Sequence, residues 1–423
     1  MAIILVTLLL CLILSVPVSF SLIIASAAYI LANGLPLMAL AKQLVVSMDS
    51  YTLLAIPAFI LAGQIMNMAT VTERIFNFGR ALVGHIPGGL AHANVVASII
   101  FSGMSGSAIA DTGGLGTVEI EGMVKEGYGP EFSAAVTGAS AIIGPIIPPS
   151  IVALIYAASA EVSVGALFMA GVIPGLLMGL FLMVLIYFLA KTRNYPKSDI
   201  ITFKGFVTIT RKAFLPLMAP VIILGGITLG IFTPTEASVI AVAYGLLLGL
   251  IYKAVTVKNL YEGFLSVTVE MGRTGLLIAS AVAFSWVLTH ARIPLQAADL
   301  LLSVSENPLV VLLVINLFLF VVGCFMDPSA AILVLTPIFI PVITKLGIDP
   351  IHFGVVMILN LMIGLLTPPV GMCLYVVSNI AKARLEDVMK EMMPFFIPLV
   401  LALAIITIFP DVVLFLPRLV LGH

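Results

Sequence analysis

Apolar stretches of about 20 residues, the length a spanning helix needs, recur along the whole chain between short segments that hold most of its charge. Segments 165–190 and 395–417 show the pattern most cleanly. It predicts membrane spans near 2–15, 18–33, 50–69, 131–160, 164–190, 213–231, 235–252, 265–290, 351–380 and 394–417. Two further apolar regions, 90–125 and 308–345, are broken midway by Gly, Ser, Asp or Pro. They are expected to be re-entrant hairpins, because non-helical backbone at membrane depth survives only where protein or a polar cavity satisfies it. Segment 71–84 has apolar residues at helical spacing and charges on another face, which predicts an interfacial helix with a counterpart near 294–306. The N-terminal run MAIILVTLLLCLILS lacks the basic lead and cleavage site of a signal peptide, and is expected to stay as a membrane segment.

Composition sharpens this picture. Of 423 residues, 61% are hydrophobic and 9% charged, against roughly 25% charged in a soluble domain, and mean hydropathy is +1.25. A net charge of −1 without any basic cluster argues against nucleic acid as a partner. The cysteines Cys11, Cys324 and Cys373 are scattered in apolar runs, so neither a disulfide framework nor a C-x-x-C site is expected. The five histidines lack metal-binding spacing.

Lys and Arg collect on the cytoplasmic side of short loops. With the first hairpin entering from the cytoplasm, fifteen of the 19 Lys and Arg fall inside, Arg273 among them, and only Lys42, Arg292, Lys345 and Arg418 outside. Both termini are then external, with one long kinked helix over 2–33 as the alternative to two spans there. A gapless shift of 220 positions also aligns the two broken regions: Gly103 meets Gly323, Lys125 meets Lys345, Pro130 meets Pro350, Gly144 meets Gly364, and Pro148-Pro149 meets Pro368-Pro369. Paired Gly and Pro at a fixed register indicate a repeat, and the span count gives its copies opposite orientation. The expected fold is an all-α polytopic membrane protein of two inverted repeats, with two re-entrant hairpins and two broken helices. Its parts are scaffold and first arm helix at 1–90, hairpin and broken helix at 91–190, and a cytoplasmic linker at 191–212. The second copy follows, with scaffold and arm at 213–307 and hairpin, broken helix and final span at 308–423. Inverted repeats in transporters place the binding site between discontinuous helices near the midplane.

Four polar interruptions carry the candidate chemistry: FSGMSGSAIADTGG (Phe101 to Gly114), GPIIPPS (Gly144 to Ser150), VGCFMDPSAA (Val322 to Ala331) and GLLTPP (Gly364 to Pro369). A Pro-Pro pair breaks a helix and frees carbonyls, here those of Gly144, Ile147, Leu366 and Thr367. Free carbonyls are costly in lipid unless a cation binds them, and desolvated Na⁺ is the economical partner. No Arg or Lys lies in the interruptions, so a bound anion is expected to rest on backbone amides, Ser105, Ser107, Ser150 and sodium charge rather than on an arginine. Asp111 and Asp327 are ionisable groups at membrane depth, a functional signal by default. Either could instead cap a helix, a role that suits Asp327, next to Pro328, better than Asp111. Small residues such as Gly103, Gly106 and Ser107 could serve helix packing alone. Glu119 and Glu121 are expected further down the hairpin, toward water, and receive no role.

The run FSGMSGSAIAD, then GLGTVEIEGMVKEGY, GPIIPPS, VGALFMAGVIPG and FTPTEA closely resembles the large membrane subunit of tripartite ATP-independent periplasmic (TRAP) transporters, through essentially the whole chain. The resemblance implies a scaffold with a mobile transport domain working by an elevator mechanism, in the bacterial inner membrane. It implies two Na⁺ sites. The first takes Ser105, Gly144, Ile147 and Gly103, and the second Gly323, Met326, Thr367 and Pro369. Ser107, Ser150 and Gly106 face substrate, and Asp111 belongs either with them or with the first sodium site. Implied partners are a separate small four-helix membrane subunit and a periplasmic substrate-binding protein. Family substrates include C4-dicarboxylates and sialic acid, and the resemblance leans to the sialic-acid branch. A stand-alone sodium/dicarboxylate or citrate carrier with the same hairpins is the alternative. An intramembrane enzyme would need a metal set or a nucleophile beside its base, and no His lies in the polar tips. A channel fits poorly with two occluding hairpins.

Overall fold

The computed structural model describes residues 2–47, 49–198 and 201–422, and every regular element among them is a helix. The first five are α1 (Ala2–Ile13), α2 (Val18–Ala32), α3 (Met38–Val46), α4 (Ala55–Met68) and α5 (Val71–Val83). The first hairpin region holds α6 (Gly89–Ser105), α7 (Ala108–Gly113) and α8 (Leu115–Lys125), and the first broken span α9 (Pro130–Ala141) and α10 (Ile151–Ala160). Then come α11 (Val164–Thr192), α12 (Phe203–Thr228), α13 (Pro234–Ile251), α14 (Val257–His290) and α15 (Ile293–Val304). The second hairpin region is α16 (Pro308–Phe325) and α17 (Pro328–Lys345), the second broken span α18 (Pro350–Gly364) and α19 (Met372–Ala381), and the chain closes with α20 (Leu385–Ile408) and α21 (Pro410–Leu421). Seven of these, α11 to α14, α16, α17 and α20, are long and apolar enough to cross a membrane. An eighth span results if α4 and α5, bent by 71° at their junction, count as one.

Local sequence explains where helices begin. Thr233-Pro234, Asn307-Pro308, Asp327-Pro328 and Asp349-Pro350 each place a capping side chain before a proline at the first helical position. The side chain accepts from an otherwise unpaired N–H, and proline has no N–H there to lose.

Three boundaries differ from the hydrophobic pattern. Helices α1 and α2 are 12 and 15 residues long and pack on each other across a turn at Ser15, whose φ is 57°. At about 1.5 Å per residue neither reaches across a core of about 30 Å, so 2–33 forms a short helical pair rather than two full spans. Helix α12 begins at Phe203, inside the expected linker, because the Thr202 hydroxyl accepts from Gly205 N at 3.3 Å and caps it there. The last span runs over α20, and Pro410 ends it by forcing Phe409 out of helical geometry, so α21 is a separate helix.

The centre of the molecule is built from the first halves of the two broken spans. Every residue from Phe132 to Ala141 on α9 and from His352 to Gly364 on α18 is buried. Around them, α11 turns Leu176, Leu180, Val184 and Phe188 outward at every fourth position, the stripe expected of a lipid-facing side. Inside, polar pairs tie each central helix to the first helix of a hairpin. Ser140 donates to Asn94 Oδ1 at 2.6 Å, and Asn94 donates to Thr137 at 2.7 Å. In the second half Asn360 donates to Asn316 O at 2.9 Å, and Asn316 to Thr407 at 3.1 Å. Such intramembrane bonds contribute about 0.6 kcal/mol each on average.

Each hairpin tip is also bonded to the chain just past a Pro-Pro pair. Ile151 N donates to Gly106 O at 3.3 Å, and Val370 N donates to Cys324 O at 3.2 Å. Both Pro148-Pro149 and Pro368-Pro369 are cis. At the second tip the backbones of Gly323 and Gly364 touch, so a Cβ on Gly364 would overlap the Gly323 carbonyl.

Contacts between loops sort into two ends. At one, Arg80 pairs with Glu126 and Arg193 with Glu391, both at 2.5 Å, and Tyr128 donates to Pro196 O at 2.9 Å. At the other, Thr235 donates to Tyr51 O at 3.0 Å, Tyr156 donates to Pro350 O at 2.6 Å, and Lys345 stands 3.9 Å from Asp299. These partly exposed ion pairs are worth at most about 1 kcal/mol each, so they mark geometry more than stability.

Two predictions follow from this arrangement. Cysteines at Lys197 and Lys390 should react with an impermeant thiol reagent from one side of the membrane and a cysteine at Lys345 from the other; labelling of all three from one side would contradict the two-ended arrangement. Gly364→Ala should lower stability by about 1–3 kcal/mol through overpacking. Gly113→Ala, where a Cβ meets nothing within 4 Å, should leave the melting temperature in detergent unchanged or raised; equal melting of the two variants would show that the Gly323–Gly364 approach is not required.

Candidate functional site

A cavity of about 240 Å³ opens where both hairpin tips, the first break and the long helix α14 converge. Gly106 and Ser107 line it from the first tip, Asp327 and Ser329 from the second, and Pro145 and Ile151 from the first break. Leu365, at the start of the second break, joins them. The facing wall is α14, which presents Glu270, Arg273, Thr274 and Leu277 at the three- and four-residue spacing of one helix face.

Arg273 changes the chemistry expected of this space. It was counted among the cytoplasmic charges, and the interruptions themselves hold no arginine. The structure brings one in from another part of the chain, roughly halfway along the 34 residues of α14. It forms no ion pair among the described residues, which leaves a planar two-pronged donor free for a carboxylate. The available signal was Glu270 and Arg273 inside a long apolar-rich helix, where intramembrane charge marks function.

The proposed substrate residues separate. Gly106 and Ser107 reach the cavity, and Ser107 also caps α7 by accepting from Ala110 N at 3.4 Å. Gly106 sits at φ 68°, and a Cβ there would strike Pro149 O, so the tip closes onto the break only with glycine. Ser150 is turned away from the cavity. Its hydroxyl donates to Pro145 O at 2.5 Å and accepts from Ala153 N at 3.1 Å, so it holds the break together and starts α10.

Asp111 is 2% exposed and neither carboxylate oxygen has a hydrogen-bond partner among the described residues. Since Ser107 caps α7, Asp111 is left without a capping role. Its carboxylate lies against Gly144, where a Cβ would overlap Oδ2. Ser105 is 3% exposed and packs against Gly63 of α4. The carbonyls of Gly144 and Ile147 accept no hydrogen bond among the described residues. An unpaired carboxylate against Gly144, with unpaired carbonyls at Gly144 and Ile147 in the same break, offers oxygens of the kind a hard cation takes. The Ile147 side chain packs on Gly175 of α11, so only its backbone is available to such a site. Gly103 stands apart, because its open side faces Pro220 of α12 and serves close packing.

The second interruption repeats the pattern. The carbonyls of Gly323, Met326, Leu366 and Thr367 accept no hydrogen bond among the described residues, while the Thr367 hydroxyl donates to Ile363 O at 3.1 Å. Pro369 O accepts only the far Tyr375 hydroxyl, at 3.5 Å. Asp327 caps α17, its Oδ1 accepting from Ser329 N at 2.8 Å and Ala330 N at 3.3 Å. Glu119, expected toward water, is instead 1% exposed with Oε1 unpartnered, because its helix α8 packs against α9 and turns that face inward.

Known proteins share this chain's features. Residues 5–412 match the family model described as "Tripartite ATP-independent periplasmic transporter, DctM component". The chain is similar to the sialic acid TRAP transporter large permease of Vibrio cholerae, 45% identical over 413 residues that cover 96% of each chain. It is also similar to the C4-dicarboxylate TRAP transporter large permease of Pseudomonas aeruginosa, 42% identical over 90% of this chain and 89% of that one. A third relative, the 2,3-diketo-L-gulonate TRAP transporter large permease of Escherichia coli, is 36% identical over 94% of each. Among solved structures, the Alcanivorax borkumensis YdaH transporter shares the fold at a TM-score of 0.64 and 16% identity, with 88% of this chain and 87% of that one covered. These relatives are permeases and not enzymes. With its apolar spans and this match over nearly its full length, the chain belongs to the TRAP transporter family as a DctM-type large permease, a multi-pass protein of the bacterial inner membrane.

Proposed function

We propose that this permease imports a small organic carboxylate together with Na⁺, and that the cavity between α14 and the two hairpin tips is where the substrate binds. The observation that carries the reading is Arg273 in a cavity whose other walls are the polar interruptions. Its guanidinium meets the carboxylate, and Thr274, Ser107 and Ser329 offer hydroxyls to the rest of the molecule. Sialic acid and C4-dicarboxylates, transported by named relatives, share that carboxylate, and the 45% identity favours the sialic-acid branch.

Two sodium ions accompany it. One is held by Asp111, the Ser105 hydroxyl and the carbonyls of Gly144 and Ile147; the other by the carbonyls of Gly323, Met326, Leu366 and Thr367. Both sets lie in the hairpins and breaks, which are bonded to each other at Gly106–Ile151 and Cys324–Val370. These parts move together as an elevator against a scaffold of α4 and α12 to α14. Small residues at the boundary, Gly63 against Ser105 and Gly103 against Pro220, permit sliding contact. The inverted orientation of the repeats is supported by their turns: Glu126 and Tyr128 belong to one end of the molecule, Lys345 and Pro350 to the other. A small four-helix membrane subunit and a periplasmic binding protein complete the system. A stand-alone carrier would take up substrate without them, and reconstitution of this chain alone separates the two.

In proteoliposomes holding the complete complex, uptake should need an inward sodium gradient and no nucleotide. Unchanged uptake in sodium-free buffer would refute the coupling. Arg273→Gln should raise the half-saturating substrate concentration about 10- to 100-fold, the worth of a charge-assisted hydrogen bond, while the sodium midpoint stays in place. Asp111→Asn and Ser105→Ala should move the sodium midpoint upward by a similar factor and spare assembly of the complex. The reverse pattern, with Arg273 shifting only sodium and Asp111 only substrate, would overturn the assignment.

A further inference from the structure

A second cavity, of about 480 Å³, lies at the end of the molecule marked by the Arg80–Glu126 pair, far from the tips in sequence and in lining. Arg74, Asn77 and Arg80 enter it from one face of α5, Ser198 and Ile201 from the linker, and Ile209 and Lys212 from α12. All described charged residues lining it are positive. Glu126 pairs with Arg80, so the surplus charge rests on Arg74 and Lys212. The Arg74 guanidinium is held over the Tyr252 ring at 3.7 Å and reaches Lys212 O at 3.4 Å, yet its Nε is buried without a partner among the described residues. The Ser198 hydroxyl is buried and unpartnered in the same way. The linker is fixed here by Ser198 N donating to Gly84 O at 2.9 Å and by Tyr128 donating to Pro196 O.

We propose that this groove binds the phosphoryl headgroup of an anionic phospholipid of the cytoplasmic leaflet. Two unpaired cationic side chains, Arg74 and Lys212, with the unpartnered Arg74 Nε and Ser198 hydroxyl, suit a phosphodiester, which accepts several charge-assisted hydrogen bonds at once. The apolar surroundings identify the ligand as lipid and not free phosphate. Ile201 and Ile209 line the groove, and Phe203 and Val207 beside them on the first turns of α12 are exposed, Phe203 by 83%. Helix α5 is amphipathic, the form of a helix lying in the membrane interface. Headgroup and chain therefore have adjoining surfaces of matching polarity.

The full chain, purified in detergent, is titrated with dioctanoyl phosphatidylglycerol, dioctanoyl phosphatidylcholine and inorganic phosphate, and bound ligand is read by native mass spectrometry. Phosphatidylglycerol should bind saturably and at least tenfold more tightly than either control. Each charge removed should weaken it roughly fivefold. Lys212→Gln, an exposed change that leaves melting unaltered, tests this alone, and Arg74→Gln with Lys212→Gln tests it further. Arg211→Gln, outside the groove, should bind as wild type. Equal binding of phosphatidylcholine would reduce the groove to ordinary lipid contact, and equal binding of phosphate would make it a free-anion site. Either result, or wild-type affinity in Lys212→Gln, overturns the proposal. None of these readouts depends on transport, so they stand apart from the substrate assignment.

Discussion

Inside a bilayer a carbonyl that leaves its helix has no water to bond to, and this constraint organises the molecule. The two Pro-Pro breaks and the two hairpin tips set free a series of carbonyls that no described donor satisfies. Such groups are tolerated only when buried in protein and given a ligand. The chain meets the first condition by enclosing the breaks behind α11, α16 and α20. In the reading proposed above, sodium ions would meet the second, and ion binding would then be coupled to the closure of the tips.

Burial of the breaks also explains why the centre is not the most hydrophobic part of the chain. Helices α9 and α18 carry Ser133, Thr137, Ser140, His352 and Asn360, all buried, whereas the lipid-facing stripe of α11 is purely apolar. Lipid solvates Leu and Phe at no cost. Only protein can pair a buried Asn or Ser, so polar side chains move inward and join hairpin to break.

The matching of the two broken regions at a shift of 220 positions rests on Gly and Pro, which constrain backbone in ways that Leu and Ala do not. Gly364 must lack a Cβ to admit Gly323, and the prolines decide where helices start and stop. Thus the interruptions of both apolar regions, both Pro-Pro breaks, the cap role of Asp327 and the short helix α5 were all visible in the letters. Where hydropathy alone set the boundary, it misled. The pairing of α1 with α2 and the start of α12 turn on local backbone and capping that apolar runs do not report. The break at Pro410 was in the sequence, yet the continuing apolar run masked it.

By itself the sequence determined the class of protein, its broken helices and the oxygen-rich composition of the tips, since each follows from residue types acting on their own backbone. Asp111 and Ser105 could be singled out this way because they lie within the interruptions. What only the tertiary structure decided is which distant groups share a space. Arg273 is separated from Ser107 by more than a hundred residues, and an internal charge near a predicted loop looks like a loop charge until α14 is placed against the tips. Ser150 shows the converse: its position in the break suggested substrate, and folding turned its hydroxyl onto Pro145 and Ala153. Periodicity fixes what a residue can do to its own helix, and packing alone fixes what it faces.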